Sequence, residues 1–287
     1  MAAVTVGVPV YNGDAYLDEC LACLESQTFK DFEVLIFDNA STDRTSEIAQ
    51  TFASRDARFK YVRQPYNKGA TQNFLDVLHA AHSEFFIWRA HDDRSSANFL
   101  AALHAAFERR PQTRLAVGRL EKIKIHRSKR RIVDVFNLNT GQESLRLARV
   151  LLHSQASWFY GLWKRETLVH EFGAVWKLYP FGWGSDHLTL LRVLVRNEVT
   201  GSNEATFIQS VVSKRLNVAS GGPASSADEM RKLKTQFTRT CWGLLRDVQL
   251  TPEQRLTLKA LIPVYSDKRA YSQVAIIRAR LRESLHL

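Results

Sequence analysis

Apolar residues along this chain keep two different rhythms, and the places where one gives way to the other outline the fold. Val4-Thr5-Val6-Gly7-Val8-Pro9-Val10 is a β-branched run closed by Tyr11-Asn12-Gly13, a buried strand followed by a turn. Between Asp14 and about Ser26 the positions Tyr16, Leu17, Cys20, Leu21 and Leu24 recur at helical spacing, with Asp14 as the expected cap. The pair then repeats. Strand 32–37 ends at Asp38-Asn39, and Ser41-Thr42-Asp43 opens a helix through Ser54. Strand 59–62 precedes a helix over 69–81, and strand 85–90 a helix over 96–110. Four such β-α units predict an α/β fold, a mostly parallel sheet flanked by helices on both faces.

Past Pro111 the rhythm changes. Strands are predicted over 115–126 and 132–138 around the basic turn Arg127-Ser128-Lys129-Arg130-Arg131, then a helix over 143–153. An aromatic-rich strand is expected over 157–164, a helix over 186–195 and a strand over 205–214. Ser220-Gly221-Gly222-Pro223-Ala224-Ser225-Ser226 is the most loop-like stretch. Beyond it, 227–247 and 252–286 read as helices interrupted by Pro252 and Pro263.

Candidate chemistry collects at the predicted strand ends. Asp92 and Asp93 directly follow the run Phe85 to His91, and in open α/β sheets ligands bind outside the carboxyl ends of the strands. Paired carboxylates there can hold a hard divalent cation; a surface turn capping the next helix explains them equally. Tyr11 offers a ring to lie against a base, and Asp38 an acceptor for an imide N–H or a ribose, the alternatives being a core tyrosine and a helix cap. In Phe181-Gly182-Trp183-Gly184-Ser185-Asp186-His187 the glycines permit close backbone approach, Trp183 supplies a flat apolar face and Asp186 begins a helix, with plain N-capping as the alternative.

Taken in order, Val8-Pro9-Val10-Tyr11-Asn12, Asp38-Asn39-Ala40-Ser41-Thr42-Asp43, Asn67-Lys68-Gly69 and His91-Asp92-Asp93 closely resemble the family 2 glycosyltransferases of the GT-A fold. The resemblance covers about the first 110 residues well and reaches more loosely to about residue 222. It implies a GT-A domain over 1–222, with 1–110 its nucleotide-binding half and 111–222 its acceptor-binding half, and a helical extension over 223–287. By resemblance Pro9 and Tyr11 line the nucleoside pocket, Asp38 contacts uracil, and Lys68 and Gly69 approach the nucleotide. Asp92 and Asp93 stand for the D-x-D element that holds Mn²⁺ or Mg²⁺ on the diphosphate, although Ala90 occupies the place of its first acid. Asp186 matches the general base, with Ser185 where the family often has another acid, and Trp183 would stack on the acceptor sugar. Arg215 matches an arginine that meets the diphosphate, and Asn217 stands where a metal-binding histidine is sometimes found. The implied reaction is inverting transfer from a UDP-sugar to a glycan or lipid-linked glycan acceptor in surface polysaccharide synthesis. A non-catalytic relative that binds nucleotide or glycan is the alternative, supported by Ala90 and Asn217.

Charge adds a second constraint. The 287 residues carry a net charge of +11, which favours acidic partners without choosing among them. No nucleic-acid module is recognisable, so no nucleic-acid partner is expected. No apolar run reaches 18 residues and the start lacks the pattern of a signal peptide, so a cytoplasmic protein is expected. Three cysteines suit a reducing compartment, and Cys20-x-x-Cys23 without a second pair reads as helix packing. From Lys268 to Leu285 basic residues alternate with Val274, Ile276, Ile277 and Leu281, a helix able either to lie peripherally on an anionic membrane or to pack on the domain.

Overall fold

The computed structural model describes residues 2–124, 129–138, 141–211 and 226–284. Two compact units account for the chain, Met1–Phe136 with Tyr160–Val169 and Val199–Leu216, and Asn137–Phe159 with His170–Glu198 and Asn217–Leu287.

The first unit is built on a sheet. Its elements in chain order are β1 (Val4–Val10), α1 (Asp14–Glu25), β2 (Phe32–Asp38), α2 (Thr45–Arg55), β3 (Phe59–Arg63), α3 (Ala70–Ala80), β4 (Phe85–Trp88), β5 (Arg94–Ser95), α4 (Phe99–Glu108), β6 (Leu115–Lys124), β7 (Lys129–Val133), β8 (Leu162–Lys164) and β9 (Val199–Val211). The strand order is β3-β2-β1-β4-β8-β6-β9-β5, with β7 paired to β6. All seven residues of β1 are buried, because β1 lies between two parallel neighbours with helices over its faces. Val4 pairs with Phe32 of β2 and with Phe85 of β4, so the three strands start level and end at one edge. The core under them includes Val6, Val8, Leu17, Leu21, Ile36, Phe52, Ile87 and Leu103. Each such side chain taken wholly from water contributes roughly 1.5–3 kcal/mol.

Beyond β4 the pairing becomes mixed: β8 runs antiparallel to both β4 and β6, while β6 and β9 are parallel. The β6–β9 register shifts at Gly118, where a side chain would meet the Ala205 carbonyl oxygen at 2.7 Å. That bulge explains why the alternation expected from Ala205 onward hides a strand beginning at Val199. The strand expected over 157–164 is a 3-10 turn, Ala156–Tyr160, followed by short β8. Ser157, Trp158 and Phe159 are all buried in succession, which an alternating strand with one buried face cannot achieve.

The second unit is helical, with α5 (Glu143–His153), most of α6 (Arg165–Leu178), α7 (Ser185–Val195), α8 (Ala227–Leu245), α9 (Pro252–Arg269) and α10 (Gln273–Ser284). Helix α6 does not stand out in the sequence, since Gly173 interrupts its pattern of Leu168, Phe172 and Val175. Pro252 opens α9 at its first turn behind a Thr251–Gln254 capping box. Pro263 does not end the helix, because the buried positions Ile262, Tyr265 and Ser266 hold the second half in place. The break comes instead at residues 270–272, where Arg269 leaves the helix end and donates to the Leu151 and Ser154 carbonyls. No helix among the described residues is long and apolar enough to cross a membrane.

Buried ion pairs fix this unit. Glu171 is almost fully buried and binds Arg192, itself buried, and Arg196. Removing one member strands the other charge without water, at a cost of about 3–5 kcal/mol. Glu171→Ala should therefore lower unfolding stability by about 3 kcal/mol in a urea titration. A loss below about 1 kcal/mol would mean that Arg192 finds other compensation.

Candidate active site

The three level strands β2, β1 and β4 deliver Asp38-Asn39, Tyr11-Asn12-Gly13 and His91-Asp92-Asp93 to the same edge. Hydrogen bonds lace the first two loops together. The Asn12 amide donates to Ser41 Oγ at 2.9 Å, the Thr42 amide to Asn12 Oδ1 at 2.8 Å, and the Gly13 amide to Thr45 Oγ1 at 2.8 Å. Asn12 and Ala40 take positive φ values of 48° and 61°, conformations that side chains rarely adopt and that such lacing holds in place. Pro9 is buried within β1, whereas Tyr11 is 44% exposed at the rim.

Asp38 is wholly buried. Its Oδ1 accepts from the Ser41 amide at 2.8 Å, and its Oδ2 accepts from Tyr61 Oη and Arg63 Nη1, each at 2.7 Å. Asn39, a residue the sequence did not single out, ties this tip to the next loop. Its Nδ2 donates to Asn67 Oδ1 and to the Gly69 carbonyl, and its Oδ1 accepts from the Lys68 amide at 2.9 Å. Lys68 Nζ in turn pairs with Asp76 at 2.8 Å. Gly69 has φ 82°, a value that suits glycine at the start of α3.

At the β4 tip the two aspartates diverge. Asp92 stays partly exposed, while Asp93 is 3% exposed and accepts from the Ser210 amide at 3.1 Å. Burial pushes the Asp93 carboxyl up to about 7; the charge on Asp92 adds to the rise, and the Ser210 amide, Arg89 and Arg94 oppose it. His91 packs its ring against Gly13, where a side chain would meet His91 Cδ2 at 2.7 Å and Val10 Cγ2 at 2.6 Å. Burial also holds the His91 imidazole below its ordinary value, against the pull of Asp92 and Asp43. Arg89, the second residue that pattern did not reveal, is fully buried. Its guanidinium lies 5.2 and 5.1 Å from the ring centroids of Phe99 and Phe207, and Nη2 donates to Ser95 Oγ. Among the described residues its Nε and Nη1 have no hydrogen-bond partner. The signal for it was a lone cation inside an otherwise apolar strand end.

Cys20 and Cys23 serve packing. Burial raises the Cys20 thiol far above its ordinary range, and Cys23 Sγ exchanges hydrogen bonds with the Ser95 backbone.

Trp183 and Asp186 belong to the helical unit. Gly184 enters α7 at φ 83° with Phe237 packed on it. Trp183 is 40% exposed, donates from Nε1 to the Ala270 carbonyl and stacks on Tyr271 with centroids 5.7 Å apart. Asp186 lies in the first turn of α7, partly exposed, and its Oδ1 accepts from the His187 amide at 2.7 Å. A helix N-terminus favours negative charge at that position. Arg215 and Asn217 lie outside the described residues.

A family model described as Glycosyl transferase family 2 matches residues 5–161, more than half of the chain. The chain belongs to that family. As a family 2 glycosyltransferase sequence it is 31% identical over 104 residues to the GalNAc(5)-diNAcBac-PP-undecaprenol beta-1,3-glucosyltransferase of Campylobacter jejuni, covering 36% of this chain and 34% of that protein. The alignment covers 34% of the length of that relative and likewise of the glycosyltransferase GlyG of Streptococcus pneumoniae. Among solved structures, S. aureus TarS 1-349 in complex with UDP-GlcNAc superposes with a TM-score of 0.61 at 16% identity, covering 99% of this chain and 92% of that one. The mannosyltransferase PcManGT from Pyrobaculum calidifontis, in complex with GDP-Man and Mn²⁺, gives 0.57 at 17% identity, covering 98% and 75%. At such identities the likeness shows the fold, which is GT-A.

Asn39 supplies a test of how the β2 tip and the 67–69 loop are held together. Asn39→Ala removes three hydrogen bonds between the β2 tip and residues 67–69, each worth about 0.5–1.5 kcal/mol net. Hydrogen exchange at the Lys68 amide should speed up about 10-fold or more, as read by NMR. An unchanged rate would show that the loop is held by something else.

Proposed function

We propose that this protein transfers a sugar with inversion from a UDP-linked donor to a hydroxyl of a glycan or lipid-linked glycan. The observation that carries the reading is the common edge: three level strands bring the Tyr11, Asn39 and Asp92 loops together in a chain that belongs to family 2. A UDP-sugar is favoured because a structural neighbour that matches 99% of this chain is seen with UDP-GlcNAc. A lipid-linked acceptor is favoured by the name of the Campylobacter relative, which includes PP-undecaprenol.

In this reading Pro9 and Tyr11 form the nucleoside shelf, and Lys68 and Gly69 border the nucleotide. Asp38 is wholly buried and accepts from Ser41, Tyr61 and Arg63, so the uracil imide would reach it only where Arg63, the exposed partner, gives way. Arg215 is assigned to the diphosphate.

The donor set suits a hard cation completed by the substrate. Among the described residues no three His, Cys, Asp or Glu gather as a metal cluster. Mg²⁺ commonly needs only one or two carboxylates when phosphate oxygens and water fill its shell. Asp92, partly exposed, would be the direct ligand for Mn²⁺ or Mg²⁺, with Asp93 behind it keeping the turn against β9 through Ser210. When bound, the cation would offset charge growing on the departing UDP.

Asp186 would take the proton from the acceptor hydroxyl as its oxygen attacks the anomeric carbon from the face opposite the diphosphate. The bond to the diphosphate breaks with its electrons leaving on UDP, and the configuration inverts. Trp183 would stack on the acceptor sugar.

One observation favours a second reading. Ala90 stands in place of an acid and Asp93 is withdrawn, leaving a single partly exposed carboxylate at the tip. A non-catalytic relative would bind UDP and turn over no donor.

A donor panel followed by UDP release with Mn²⁺ or Mg²⁺ separates the two. Asp186→Asn should lower kcat by about 100-fold or more while UDP affinity changes less than about 3-fold. UDP binding without turnover of any donor supports the second reading. Joint loss of binding and turnover in the variant assigns Asp186 a structural role.

A further inference from the structure

The C-terminal helices carry a surface that the transfer reaction does not use. On α8, Lys234, Thr235, Thr238, Arg239 and Trp242 stand three, four, seven, eight and eleven residues after Arg231. That spacing puts them on one helix face. With Ile276 of α10 they line a groove of about 470 Å³. Arg231 is 3.7 Å from Asp228, Lys234 pairs with Asp267 at 2.6 Å, and Arg239 makes no ion pair among the described residues.

Helix α10 has two opposed apolar sides. Ile276 and Ala279 are buried with Ala227 and Tyr271, against Met230 and Leu233. Glu283 accepts from the Ala227 amide on that same side. The opposite side exposes Val274, Ile277 and Leu281, at 57%, 49% and 57%. At 100° per residue these three fall within one narrow stripe, with Arg278 and Arg282 along one flank and Arg280 along the other. The helix that could either pack or face outward therefore does both.

We propose that this α8–α10 face docks the protein on an anionic phospholipid bilayer, the Val274-Ile277-Leu281 stripe entering the headgroup boundary and the groove beside Trp242 taking a lipid phosphate. Aliphatic side chains between arginines are what an interfacial helix needs, since the stems bury while the guanidinium groups stay at the phosphates. Trp242, 37% exposed at the groove, is the residue type enriched at that depth. A nucleic-acid backbone would use the cations and leave the aliphatic stripe in water. A second copy docked stripe to stripe would bring like-charged arginines together. The inference extends the proposed function, because a lipid-linked acceptor lies at such a surface, yet vesicle binding needs neither donor nor acceptor and is scored separately from turnover.

Flotation of the full chain with phosphatidylcholine vesicles, with and without phosphatidylglycerol, is the test. Binding should need the anionic lipid and weaken as salt rises. Ile277→Asp with Leu281→Asp should reduce binding by about 10-fold or more, and so should Arg278→Glu with Arg280→Glu, with melting temperature and UDP-sugar turnover in free solution unchanged. Failure of the natural protein to float with anionic vesicles overturns the proposal, as does flotation of both double variants at the natural level. Detection by light scattering of a dimer that Ile277→Asp dissolves would assign the stripe to a second copy. Binding to RNA that both double variants lose equally would assign it to nucleic acid.

Discussion

The site depends on the register of β1. Because Val4 is level with Phe32 on one side and Phe85 on the other, the loops that hold Tyr11, Asn39 and Asp92 leave the sheet at one edge, β4 ending opposite Gly7 and β1 and β2 three residues further on. A slip of one residue would turn every β1 side chain to the other face and move the Tyr11 loop about 3.3 Å along the strand direction. Complete burial of all seven β1 residues makes such a slip costly. Across the ends of the strands, Asn12, Ser41 and Asn39 convert that shared edge into a fixed surface. The chemistry assigned to the edge is only as good as that alignment.

Much of this was legible from residue order. The β-α rhythm up to Arg110 named four strands and four helices of the first half and missed only the two-residue β5, because buried parallel strands are nearly unbroken apolar runs. Asp92 and Asp93 were visible as charge abruptly following such a run. Their different fates were not, since withdrawal of Asp93 depends on Ser210, more than a hundred residues away. The same holds for Asp38, whose partners Tyr61 and Arg63 lie on the neighbouring strand β3. Helix α6 and the 3-10 turn at Ala156–Tyr160 escaped for a different reason. Tertiary burial of Trp158, Phe159 and Phe172 overrides local preference there.

The basic balance also divides once the structure is seen. Arg89, Arg146 and Arg192 are buried and serve the fold, Arg146 by donating to the Leu194 and Val195 carbonyls at the end of α7. These cations say nothing about partners. Arg239, Arg278, Arg280 and Arg282 remain exposed on the C-terminal helices beside an uncovered aliphatic stripe. Net charge read from composition alone merges the two groups, and only the second bears on what the protein meets.

The central claim is that Asp92 meets the donor's cation while Asp93 holds the turn. Calorimetric titration of UDP into the natural protein, Asp92→Asn and Asp93→Asn, each with and without Mn²⁺, separates the two roles. The account predicts that Mn²⁺ tightens UDP binding in the natural protein by about 10-fold or more and that Asp92→Asn removes this gain without lowering the melting temperature. Asp93→Asn, which keeps an acceptor for the Ser210 amide, should retain most of it. A Mn²⁺ effect that survives Asp92→Asn and vanishes in Asp93→Asn would contradict the account.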